Sequence, residues 1–96
     1  MLIAKVVGSA VATIKDKNLI GTKLLIVREA DINGEPIGKP LVAIDTVNAG
    51  LADLVLIASG SSARQTEITK ERPVDAVIMA ILDSLEVEGK VTYRKS

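Results

Sequence analysis

Residues 60–64, Gly-Ser-Ser-Ala-Arg, are the part of this chain that most invites a catalytic reading, with two adjacent serines on a small-residue stretch beside a cation. A serine becomes a nucleophile when a neighbouring base takes its proton. The chain contains no histidine, so a Ser–Lys pair is the arrangement left to consider. Asp45, Asp53, Asp75 and Asp83 could in principle pair as acid and base or hold a hard cation. They are scattered singly across expected strands and turns, where solvated or turn-capping roles suit them better. The absence of cysteine excludes disulfides and thiolate metal sites. Seven glycines, at 8, 21, 34, 38, 50, 60 and 89, form neither a GxGxxG fingerprint nor a phosphate loop. We expect no catalytic, cofactor-binding or metal-binding residues, no cofactor, and no enzyme.

Twelve basic residues balance twelve acidic ones, so no global field draws in nucleic acid or an anionic membrane. A barrel that binds single strands also needs aromatic platforms on which bases stack. Tyr93 is the only aromatic residue. Single-stranded nucleic-acid binding by an oligonucleotide-binding (OB) type barrel is therefore the alternative reading, and no nucleic-acid or membrane partner is expected. The start, MLIAKVVGSAVATIK, lacks the basic lead and the apolar segment of about 7–15 residues that mark a secretory signal. A cytoplasmic, soluble protein is the expectation.

The elements that carry these residues are read from apolar runs and turn signals. At 96 residues the chain is expected to be a single domain, 1–96, with a modest core. With 48% hydrophobic residues and one aromatic, that core must be Val, Ile, Leu and Ala. Leu2 to Ile14 reads as one long strand bent or bulged near Gly8. Lys23 to Glu29 (KLLIVRE) is a second strand, and Asp31 to Pro40 a connection centred on the Asn33-Gly34 hairpin signal. Leu41 to Asp45 and Leu54 to Ala58 follow as strands three and four. Gln65 to Arg72 is polar and reads as an exposed loop.

Residues 74–85 are ambiguous. Pro73 with Asp75 close behind is a helix-start signal, whereas four short strands ahead of the segment make a further strand the more economical reading of a small all-β barrel. Glu88-Gly89-Lys90 then turns the chain into a last strand, Val91 to Lys95. One pattern is left without a chemical explanation. The apolar run Leu54 to Ala58 is flanked by two patches of small residues, Asn48-Ala49-Gly50 and Gly60-Ser61-Ser62-Ala63. Close approach of one backbone to another is the physical reason to want them.

Three stretches together carry a family resemblance: AKVVGSAVATIKDKNLIGTKLLIV (4–27), VAIDTVNAGLADLVLIASGSSARQ (42–65) and RPVDAVIMAILDSL (72–85). They resemble the vertex proteins of bacterial microcompartments, the EutN and CcmL type, over nearly the whole chain and in order. The resemblance implies an all-β fold, a five-stranded OB-like β-barrel, whose protomers assemble as a homopentamer. It also implies a place at the fivefold corners of a polyhedral shell, beside hexameric and trimeric shell proteins, around an enclosed enzyme pathway. The segment Val42-Ala43-Ile44-Asp45 favours a catabolic metabolosome over a carboxysome. Family members commonly read Val-Gly-Ala-Gly where this chain has Val47-Asn48-Ala49-Gly50, and often Gly-Glu-Trp-Val-Leu at Ala52-Asp53-Leu54-Val55-Leu56. Asn is the usual second choice after Gly for left-handed backbone.

In a ring of five, residues near the axis must be small or point along it. Gly60, Ser61, Ser62 and Ala63 meet that requirement, as do Asn48, Ala49 and Gly50; one patch is expected to line the axis and the other to support it or meet a neighbour. Arg64 is the one long cation of the region. It is expected either to pair with a carboxylate on the adjacent protomer, Asp45 or Asp53, or to remain a solvated surface arginine.

Overall fold

The computed structural model describes residues 1–15, 17, 20–59 and 76–96. Seven strands follow one another: β1 Leu2–Ala10, β2 Leu24–Ala30, β3 Pro36–Asp45, β4 Leu54–Ser59, β5 Ala76–Ile81, β6 Ser84–Val87 and β7 Lys90–Arg94. The first five close a barrel in the order β1-β2-β3-β5-β4, and β6 and β7 form a separate two-stranded sheet.

β1 pairs on both edges and is bulged where a bend or bulge near Gly8 was expected. Val6 pairs with Val27 and Gly8 with Ile26, leaving Val7 as the extra residue. Its first half pairs with β4, from Leu2↔Ile57 to Lys5↔Leu54. At Val6 the ladder passes to the preceding loop, where Val6 N donates to Asp53 O and Ala52 N to Val6 O, both at 2.9 Å. The strand ends at Ala10 rather than Ile14, since β2 begins at Leu24 opposite Ala10 and offers 11–14 nothing to pair with.

The β2–β3 connection is shorter than expected. Asp31 Oδ1 accepts from Asn33 N and Glu35 N at 2.9 and 3.0 Å, Gly34 N donates to Asp31 O at 3.0 Å, and Gly34 takes φ +85°. Asn33-Gly34 thus lies in a turn bounded by Asp31 and Glu35, and β3 starts at Pro36, not Leu41. Two prolines are tolerated because Pro36 pairs with Ala30 and Pro40 with Arg28, a register shift that leaves 37–39 opposite Glu29 alone.

Of the two readings of 74–85, the strand is the one realised from residue 76; Pro73 and Asp75 lie outside the described residues. β5 has a partner on each edge: β4, antiparallel from Ser59↔Ala76 to Val55↔Ile81, and β3, parallel at Ile44↔Val77 and Asp45↔Ile78. The expected long strand breaks at Leu82-Asp83, and β6 turns out of the barrel. A two-residue turn, Glu88 at φ 52° and Gly89 at φ 80°, joins it to β7, the backbone signature of a tight hairpin. Gln65 to Arg72 lie outside the described residues.

The barrel interior is aliphatic throughout. Ala4, Val6, Leu25, Val27, Ala43, Ala49, Val55, Ile57, Ala76 and Ile78 form one buried cluster. Ile44, Ala58 and Val77 form a second, smaller one, with Leu24 and Met79 against it.

Candidate intersubunit joint at residues 45–53

The chain leaves β3 at Asp45 and must reach β4 at Leu54 within eight residues. Asp45 shapes the first half of this connection. Its Oδ1 accepts from Val47 N at 3.0 Å and from Ala49 N at 3.2 Å, so the carboxylate acts as a local cap that folds the backbone round itself. Thr46 Oγ1 donates to Ile78 O at 2.6 Å and pins the turn to β5. Within it Asn48 adopts φ 60°, the left-handed conformation its side chain tolerates better than most.

Asp53 shapes the second half. Gly50 N donates to Asp53 Oδ2 at 2.8 Å and Asp53 N to Gly50 O at 3.1 Å. Between them Ala52 stands at φ 71°, where the family pattern often has glycine. Alanine pays a steric penalty in that region.

Two lysines complete the site, and neither was singled out by sequence reasoning. Lys23 Nζ lies 3.4 Å from Asp45 Oδ2, donates to Ala49 O at 3.0 Å and stands 3.5 Å from Asn48 Oδ1. Lys95 Nζ lies 3.6 Å from Asp53 Oδ1. The Asp45 side chain is 1% exposed and that of Asp53 is 19% exposed. Although the ammonium is close to Asp45 Oδ2, no hydrogen bond reaches that oxygen; the attraction there is one of charge. Both carboxylates organise their own loop, Asp45 enclosed by it and Asp53 with part of its surface still open.

Of the expected joint residues, Asn48, Ala49 and Gly50 share one turn with Asp45 and Asp53. Ala49 is buried in the barrel core and supports the turn from within. Leu51, at 74% exposure, is the large apolar side chain the loop holds out to solvent. Beside it a cleft of about 340 Å³ is lined by Val6, Gly8, Lys23, Leu25, Ala49 and Leu51, among others. Gly60, Ser61, Ser62, Ala63 and Arg64 lie outside the described residues, and with them the expected Arg64 ion pair. What the described loop offers is a turn tied by several internal hydrogen bonds, with an exposed aliphatic side chain at its tip.

Comparison with known proteins places the whole chain. A family model described as ethanolamine utilisation protein EutN/carboxysome matches residues 1–83, which is the barrel without the β6–β7 hairpin. The chain is 41% identical to the microcompartment shell vertex protein EutN of Salmonella typhimurium, over 99% of its own length and 96% of that protein's. The solved structure of CcmL from Nostoc sp. PCC 7120 superposes with a TM-score of 0.90 at 46% identity, over 99% of this chain and 100% of that one. A pentameric microcompartment shell protein, GrpN of Rhodospirillum rubrum, superposes with a TM-score of 0.80 at 39% identity, covering 91% and 99%.

Proposed function

The chain belongs to the EutN/CcmL family of microcompartment shell vertex proteins, and on that premise we propose that five copies close into a ring that caps the fivefold corners of a shell and catalyses nothing. The observation that carries this reading is the full-length likeness to shell vertex proteins, among them the pentameric GrpN. The 45–53 loop fits it as one of the two surfaces, since a cyclic interface joins one patch of each copy to a different patch on the next. The ring sits in a cytoplasmic shell beside hexameric and trimeric shell proteins.

Within the ring, Asn48, Ala49 and Gly50 hold Leu51 towards the adjacent copy, while Gly60, Ser61, Ser62 and Ala63 are assigned to the axis by their size. Of the two carboxylates considered for Arg64 of the adjacent copy, Asp53 is the better candidate. Asp45 is enclosed by its own chain, whereas Asp53 keeps part of its surface open. Relatives from carboxysomes and from catabolic compartments are about equally similar, at 43% and 41% identity. The proposal of a catabolic compartment rests on Val42-Ala43-Ile44-Asp45 and is tested by which enzymes and shell proteins co-purify with the chain.

Solution mass decides the assembly. Five copies of a 10.1-kDa chain give about 50 kDa, and sedimentation at micromolar concentration is expected to return that value. A stable 10.1-kDa monomer overturns the reading. Nucleic-acid binding loses support on a particular point: the Tyr93 ring, the only aromatic surface, lies against Gly34, where an added Cβ would come within 2.8 Å of Cδ1.

A further inference from the structure

Lys23 stands 22 residues before Asp45 in sequence, yet it is the residue on which the 45–49 turn converges. Its backbone is fixed first, since Asp45 N donates to Lys23 O at 2.9 Å at the mouth of the β2–β3 ladder. From that anchor the side chain crosses to the turn and meets it three times, at Asp45 Oδ2, Ala49 O and Asn48 Oδ1. Each contact has a different role. Asp45 Oδ2 is buried without a hydrogen-bond donor, and the ammonium 3.4 Å away is the opposite charge that faces it. Ala49 O gains a donor, and Asn48, at φ 60°, has its side-chain oxygen 3.5 Å from the same ammonium.

The barrel does not depend on Lys23 in the same way. Its core is the aliphatic cluster from Ala4 to Ile78, and the lysine side chain remains 49% exposed at its edge. We propose that Lys23 is the positioning residue of the Thr46–Gly50 turn: its ammonium sets the shape through which copies of the chain meet, so that removing the charge uncouples assembly from folding. The assembly half of this proposal rests on the pentameric reading above; the turn half rests only on the contacts just described.

The test separates the two. Lys23→Met keeps the aliphatic stem and removes the charge and donors, and Lys23→Arg keeps both. In Lys23→Met, amide hydrogen exchange at Val47 and Ala49 is expected to accelerate by at least about tenfold, with Val27 and Ala43 in the β2–β3 ladder changed by less than about twofold. The concentration at which half the protein is in rings is expected to rise by at least about tenfold, and Lys23→Arg to return both readings to within about threefold of the starting protein. Unchanged exchange at Val47 and Ala49, or equal acceleration across the barrel, overturns the proposal. If Lys23→Met does not fold, Lys23→Gln, which retains a donor without the charge, takes its place; failure of both to fold overturns it too, because the ammonium would then serve the barrel. A monomeric starting protein sinks the pentameric reading and the assembly half with it, and leaves the exchange measurement to decide the turn.

Discussion

Single residues in the 45–53 loop are legible to different degrees, according to whether their partner is near in sequence. Asn48 was expected to tolerate left-handed backbone and takes φ 60°. Ala52, two residues past Gly50, adopts φ 71° without a glycine to announce it. The steric cost of alanine there, about 1 kcal/mol, exceeds the conformational freedom that glycine would add to the unfolded chain. Ala52→Gly is accordingly expected to stabilise the protein by about 0.5 kcal/mol, read as a higher urea midpoint at unchanged slope. Lys23 and Lys95 were not legible at all. Their partners lie 22 and 42 residues away; the β2–β3 pairing brings Lys23 to Asp45, and the chain after the β6–β7 hairpin brings Lys95 to Asp53. Lysine composition carries no mark of which ammonium will do this.

Among elements, six strands were expected and seven are present: residues 74–85 were open between helix and strand, β6 was not foreseen as a strand of its own, and several others were misjudged in extent, for reasons of pairing. An apolar run continues as a strand only while a partner faces it, which is why β1 stops at Ala10 and leaves Val11 fully exposed. Proline was read as the end of a turn, yet Pro36 and Pro40 sit within β3 because the register shift opposite Glu29 absorbs them. The turn chemistry of Asn33-Gly34 located the hairpin but not its docking. Gly34 combines φ +85° with a Tyr93 ring so close that an added Cβ would stand 2.8 Å from Cδ1. Gly34→Ala therefore has both a backbone and a packing penalty. We expect it to cost about 2 kcal/mol, measured by chemical denaturation, with the β2–β3 tip freed from β7.

At the scale of the molecule, a short chain with one aromatic residue buries an aliphatic core of modest extent. Leu51, Ile37 and Val42 remain more than half exposed, surface that association would cover. If the ring forms, folding and association are linked by mass action, and the melting temperature is expected to rise with protein concentration; calorimetry over a hundredfold range, about 1 to 100 μM, checks it. A midpoint independent of concentration would mean that the barrel stands alone. The placement of the lone ring has one more consequence. Tyr93 is the sole aromatic chromophore, and it sits where the β2–β3 tip meets the terminal hairpin. Ultraviolet emission from the purified protein therefore originates at one known point of each subunit, an optical gauge of that junction that needs no label and can be followed while rings form.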